Sequence, residues 1–217
     1  MAEVRRLWIP GPEGRLEAAL RVAEHPLAAV VLAHPHPLHG GTLHNPVVFH
    51  ADRELNARGA TTLRFNFRGV GSSDGSHDAG RGELEDLAAA VSWTRGLAPE
   101  APTILVGYSF GAWCAVRLAE RDRSIRAVAA LGLPLEVYPF GEIARLDRPV
   151  LVVQASDDEL GSPEEVRQLL ERARPPGRLH VVDGGGHRFS GRARTAAYHL
   201  AHAFSELMRE LASEGTV

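Results

Sequence analysis

Thr103-Ile104-Leu105-Val106-Gly107-Tyr108-Ser109-Phe110-Gly111 is the stretch that decides the fold. Thr103 to Val106 is short, apolar and β-branched, which predicts a buried strand, and the run from Phe110 to Arg121 predicts a helix. Between them stands G-x-S-x-G, in the setting that gives this spacing meaning. Its glycines allow a sharp strand-to-helix turn that pushes the serine hydroxyl into the open. Ser109 is therefore the candidate nucleophile; the plainer role for a serine here is a helix N-cap.

The same alternation extends outward along the chain. Ala28 to Ala33 has no polar alternation and stops at His34-Pro35, as expected of a strand buried on both faces. Asn45 before Pro46 predicts a capped helix start, with the helix running to about Arg58-Gly59. Thr61 to Phe67 predicts a strand leading into the glycine-rich loop Arg68 to Gly75, and Glu83 to Arg95 predicts a helix stopped by Gly96 and Pro99. Ile125 to Leu131, Pro149 to Gln154 and Leu179 to Val182 complete the buried strands, with helices near Pro163 to Ala173 and Thr195 to Leu211. At the start, Arg6 to Val22 reads as a hairpin around Pro10-Gly11-Pro12-Glu13-Gly14. This pattern predicts an α/β fold: a mostly parallel central sheet with helices on both faces and an N-terminal antiparallel hairpin. No repeat or linker divides the chain, so residues 1–217 are expected to form a single domain.

Composition narrows the chemistry. With 24 Lys+Arg against 27 Asp+Glu the net charge is −3, so no basic field is available to drive nucleic-acid binding. Every basic residue is arginine, which excludes a Schiff-base lysine, a Ser-Lys dyad and a P-loop phosphate grip. The loop Arg68 to Gly75 therefore reads as structural, with Arg68 in a buried ion pair. Glu83, Glu85 and Asp86 read as a solvated helix start that suits the helix dipole. The one cysteine, Cys114, cannot form an internal disulfide and reads as a small buried hydrophobe. No stretch approaches the roughly 20 apolar residues that span a bilayer, and Met1 to Pro10 carries no apolar leader core. A cytoplasmic location without membrane partners is the expectation.

A serine hydroxyl needs a base to take its proton, and the base needs an acid to orient it. The chain offers both in order. After the strand Pro149 to Gln154 comes Ala155-Ser156-Asp157-Asp158-Glu159, with carboxylates at a strand's carboxyl end, where sites on such sheets lie. After Leu179 to Val182 comes Asp183-Gly184-Gly185-Gly186-His187, a loop able to swing an imidazole over the serine. His180 falls inside a strand, and His199 and His202 fall inside the last helix, where packed or solvated roles are expected.

The order strand-GYSFG-helix, SDDE and GGGH, together with HPHPLHGG at 34–41 and FNFRGVGSSDG at 65–75, resembles the α/β-hydrolase fold. It looks like the branch of small bacterial serine hydrolases grouped with dienelactone-hydrolase-like or Xaa-Pro-dipeptidyl-peptidase-like domains. In that branch the acid lies three residues beyond the glycine of a Gly-x-x-Asp turn. Ala155 stands in the glycine's place here, and the spacing selects Asp158 over Asp157. The resemblance also implies an oxyanion hole. One donor is the N–H of the residue after the nucleophile, Phe110, and the other comes from the loop after the first parallel strand. Prolines cannot donate, and the family pattern points to the His36 N–H, with no need for its side chain. Dienelactone hydrolases use a cysteine nucleophile, so their substrate does not carry over.

These readings converge on a Ser109-Asp158-His187 serine hydrolase with no cofactor and no metal, acting on small ester substrates as a carboxylesterase. Thioesterase, lactonase or acyltransferase activity would use the same groups. The main rival is a metal-dependent hydrolase built on His34, His36 and His39, which approach H-x-H-x-D-H except that Leu38 holds the Asp position. A non-catalytic binding module is a further alternative. Many enzymes of this fold carry a lid after the strand Ile125 to Leu131; residues 132–148 leave no room for a large cap, which predicts an open, shallow site.

Overall fold

A computed structural model describes residues 2–214. The hairpin forms as β1 (Arg5–Gly11) and β2 (Gly14–Arg21), antiparallel and closed across Pro12-Glu13. The remaining strands are β3 (Ala28–Ala33), β4 (Ala60–Phe65), β5 (Thr103–Tyr108), β6 (Ile125–Leu131), β7 (Val150–Ala155) and β8 (Arg178–Val182). They form one sheet in the order β1-β2-β4-β3-β5-β6-β7-β8, parallel from β4 onward, with β2 antiparallel to β4. The helices are α1 (Pro46–Ala57), α2 (Arg81–Leu97), α3 (Phe110–Arg121), α4 (Pro163–Leu170) and α5 (Ala193–Glu214).

Strand residues alternate between two apolar clusters, one on each side of the sheet. Val31, Ala33 and Leu105 pack with α2, α3 and α4, whereas Val30, Leu32, Ile104 and Val106 pack with α1 and α5. Burial on both faces explains why these strands read as continuous apolar runs. The chain leaves β3 toward β4 on one side and returns to β5 on the other, so the strand order reverses between β3 and β5. The carboxyl ends of these two strands form the topological switch point, where sheets of this class place their sites. His34 to His36 and Ser109 lie there.

Several boundaries move for identifiable reasons. β4 ends at Phe65 and not at Phe67, because the Phe67 N–H donates to the His34 imidazole (3.1 Å) and leaves the ladder. α1 starts as expected, the Asn45 side chain accepting from the Val47 N–H (2.9 Å) with Pro46 in the first turn. α4 stops at Leu170, whose carbonyl accepts from the Gly177 N–H (3.0 Å). α2 begins at Arg81, earlier than predicted, because Glu83 bends back to accept the Gly80 and Asp78 N–H groups at 2.7 and 2.9 Å.

The expectation of a solvated acidic start to α2 is corrected by the same contacts. Glu83 and Asp86 are fully buried, and only Glu85 faces water. Asp86 is buried because it holds Arg68: it accepts the Arg68 backbone N–H at 2.9 Å and the guanidinium at 2.8 to 3.1 Å. Arg68 thus sits in the buried ion pair read from the sequence, with Glu13 as a second partner at 2.6 Å. Cys114 is buried in the core, and burial pushes its thiol pKa up.

Residues 132–148 form a loop with one 3-10 turn, Gly141–Arg145, and build no cap. Among the described residues no helix is long and apolar enough to cross a membrane. The buried pair is testable: Asp86→Ala strands a guanidinium and a backbone N–H, and urea unfolding should show a loss of about 3 kcal/mol. An unchanged midpoint would refute the anchoring role.

Candidate active site

The turn from β5 into α3 is built by what its glycines lack. A Cβ on Gly107 would overlap the Gly111 carbonyl oxygen and the Ala112 backbone, and a Cβ on Gly111 would overlap the Ala33 carbonyl at the end of β3. Both positions therefore demand glycine, and the G-x-S-x-G spacing follows. Ser109 between them has φ 56° and ψ −115°, a conformation that L side chains rarely adopt and that costs about 1–3 kcal/mol. It is held by the Ser109 N–H donating to Leu131 O (3.0 Å) and by Ala112 N–H donating to Ser109 O (2.9 Å). The serine sits at the N-cap position of α3, yet its side chain makes no capping bond. Its hydroxyl points away from the helix.

That hydroxyl lies 2.8 Å from His187 Nε2, and His187 Nδ1 lies 3.1 Å from each oxygen of Asp158. A carboxylate can only accept, so Nδ1 carries the proton and Nε2 is left to accept from the serine. Ser109, His187 and Asp158 are thus brought together in one hydrogen-bonded line from three different loops. The Asp158 side chain is fully buried and that of His187 is 8% exposed. Asp158 keeps its oxygens satisfied by accepting from Gln154 Nε2 (2.8 Å) and the Leu160 N–H (2.9 Å). Asp157 does not reach the imidazole; it is exposed and accepts the Gly186 N–H at 2.8 Å.

Two residues at the site escaped the sequence reading. Gln154 is fully buried, and besides Asp158 it binds Leu133 N–H (2.8 Å) and Gly161 O (2.7 Å), tying the acid's loop to the segment after β6. Its signal was a lone amide in the apolar run of β7. Tyr108 lies inside the G-x-S-x-G itself, and its hydroxyl donates to the His187 carbonyl at 3.0 Å. Nothing local distinguishes it from a core aromatic.

The loop after β3 closes the other side. His34 is fully buried, its Nδ1 donating to Pro35 O (2.6 Å) and its Nε2 accepting from Phe67. Burial pushes its pKa down to about 4, which keeps it neutral. The His36 ring turns to its own loop, accepting the Leu38 N–H at 3.1 Å, and stacks on His39 with centroids 4.5 Å apart. It also lies 5.1 Å from the Phe110 ring. Among the described residues, neither the Phe110 nor the His36 N–H donates to a protein acceptor. Both nitrogens of His34 are occupied and His36 and His39 lie face to face, so the three rings do not converge. No group of three or more His, Cys, Asp or Glu side chains among the described residues is arranged to hold a metal ion.

Residues 26–213 match the family model described as an alpha/beta hydrolase domain. An uncharacterized protein of Rickettsia prowazekii is 38% identical over 172 residues, which cover 77% of this chain and 72% of that one. The structure of an alpha-beta serine hydrolase homologue from Coxiella burnetii superimposes with a TM-score of 0.85 at 32% identity, covering 94% of this chain and 98% of that one. A lidless member of the a/b serine hydrolases from Xanthomonas campestris gives a TM-score of 0.81 at 32% identity, covering 94% and 96% of the two chains. The family match spans nearly the whole fold, including every residue of the site, and the chain belongs to the alpha/beta hydrolase family.

Proposed function

We propose that this hydrolase is a serine carboxylesterase that cleaves small or short-chain esters through an acyl-serine intermediate. The carrying observation is the hydrogen-bonded line Ser109 Oγ, His187 Nε2, His187 Nδ1, Asp158 in a buried setting. In this reading His187 takes the Ser109 proton as Oγ attacks the ester carbonyl carbon. Asp158 stabilises the imidazolium that forms. The carbonyl oxygen becomes an oxyanion and accepts from the Phe110 and His36 N–H groups, which have no protein acceptor to give up. His187 then passes its proton to the leaving alkoxide. A water, deprotonated by His187, attacks the acyl-serine carbonyl; the acyl–Oγ bond breaks, His187 returns the proton to Ser109 Oγ, and the acid leaves.

The preference for small substrates rests on the missing cap. Residues 132–148 hold one 3-10 turn, Gly141–Arg145, and build no cap, and Leu38 and Val137 are exposed apolar side chains. An open site offers a long acyl chain little surface to bury, so binding energy should saturate at short chain length.

Three outcomes test this reading. With a short-chain p-nitrophenyl ester, Ser109→Ala should abolish both the burst and the turnover, and retained turnover would remove Ser109 as nucleophile. Asp158→Asn should lower kcat by about 10⁴-fold, by analogy with the acid of other triads, while Asp157→Asn should stay near wild type. The reverse order would move the acid role to Asp157. Across a panel of acyl lengths that includes thioesters and lactones, kcat/KM should peak at short esters. A peak at long-chain triglycerides would sink the open-site argument.

A further inference from the structure

The loop that carries His187 is built on three successive glycines. Gly184, Gly185 and Gly186 have φ of 67°, 103° and 58°, so three successive residues adopt a backbone that only glycine takes readily. Glycine also has the most freedom to leave any one conformation. An imidazole on such a tether needs external restraint to stay 2.8 Å from Ser109.

Beside the loop's own turn bonds (Phe189 N–H to Gly186 O, 3.0 Å; Ser190 N–H to Gly185 O, 2.8 Å) and the Tyr108 hydroxyl on the His187 carbonyl, restraint comes from four consecutive side chains after β7. Ser156 Oγ accepts the Gly184 N–H at 2.9 Å, and Asp157 Oδ1 accepts the Gly186 N–H at 2.8 Å. Asp158 takes the imidazole, and Glu159 Oε2 accepts the His187 backbone N–H at 2.8 Å. The His187 N–H bond holds the Glu159 carboxyl below the usual carboxylate range, keeping it ionised. A Cβ on Gly186 would stand 3.0 Å from Glu159 Oε2, a tight contact that the glycine avoids. Asp158 alone of the three carboxylates touches the ring.

We propose that Asp157 and Glu159 are positioning residues for the esterase reaction, clamping the Gly186 and His187 amides so that the imidazole is aimed at Ser109. The proposal rests on the serine esterase reading above. Anionic acceptors suit the task because hydrogen bonds to ionised groups are about twice as strong as neutral ones, which matters at an exposed loop where water competes. The clamp is a device of charge on backbone: it fixes the carrier of the base from the same β7 end that supplies the acid.

The test uses the full chain and four variants: Glu159→Ala, Glu159→Gln, Asp157→Ala and the double alanine. Glu159→Ala should lower kcat between about 10- and 100-fold with KM unchanged, since a misplacement near 1 Å has that scale. Its Tm should move by less than about 3 °C, because Glu159 itself is exposed and water can replace its carboxylate at a part-buried bond. Glu159→Gln keeps a carbonyl acceptor without the charge and should recover part of the lost kcat, falling between wild type and Glu159→Ala, and the double alanine should be slower than either single one. Amide exchange followed by NMR should quicken at His187 in Glu159→Ala and at Gly186 in Asp157→Ala. A double alanine with wild-type kcat, a Gln variant as slow as the Ala variant, or a kcat loss accompanied by a large Tm loss would each overturn the proposal. So would unchanged amide exchange, which needs no substrate. If the wild-type chain turned over no ester and its Ser109 resisted a fluorophosphonate probe, the esterase reading would fall, and exchange would still decide whether the clamp exists.

Discussion

The nucleophile turn holds its shape because there is no Cβ at positions 107 and 111, where the backbone of α3 presses against its own strand and against the end of β3. That close approach does two things at once. It forces Ser109 into its high-energy φ and ψ, and it brings the start of α3 against the end of β3, with the Phe110 ring 5.1 Å from that of His36. The strain of about 1–3 kcal/mol is sustained by the surrounding sheet, in which β3, β5 and β6 are buried on both faces. Everything else at the site is arranged to meet a hydroxyl that has been put in a place it would not choose.

Meeting it requires polar groups inside an apolar frame, and those that hold the site are hydrogen-bonded. Asp158 is buried but accepts from His187, Gln154 and Leu160; His34 is buried but uses both nitrogens; Arg68 is buried against Asp86 and Glu13. A partly satisfied network would cost more than an apolar core of the same shape, so these contacts stand or fall together. They also link distant segments. Gln154 couples the acid's loop to the residues after β6, and Tyr108 couples the nucleophile strand to the carbonyl of the base. The hydroxyl, imidazole and carboxylate are therefore positioned by shared neighbours as much as by one another.

The sheet's strands and order-defining elements were legible because burial on two faces leaves an unmistakable apolar run, as at Ala28 to Ala33 and Ile125 to Leu131. Ends were less so. β4 stops short of Phe67 because an imidazole thirty-three positions away takes that residue's amide, and no local pattern reports that. The acidic start of α2 misled for a related reason. Asp and Glu near a helix N-terminus are normally solvated, and only the arrival of Arg68 and the loop 78–80 turns Asp86 and Glu83 inward.

By itself the sequence determined the α/β alternation, the strained turn at Gly107 to Gly111, the position of Ser109 between strand and helix, and a histidine on a glycine loop downstream. These are properties of neighbouring residues: periodicity, β-branching and the steric room that glycine leaves. The family spacing already favoured Asp158 over Asp157; tertiary structure alone decided that Gln154 supports the acid and that Asp157 and Glu159 grip the backbone of the loop instead. Successive side chains after a strand point in different directions, and which direction holds a partner depends on a loop nearly thirty residues away. A hydrogen bond needs its donor and acceptor within about 3 Å, and chain proximity on that scale is set by the packed fold.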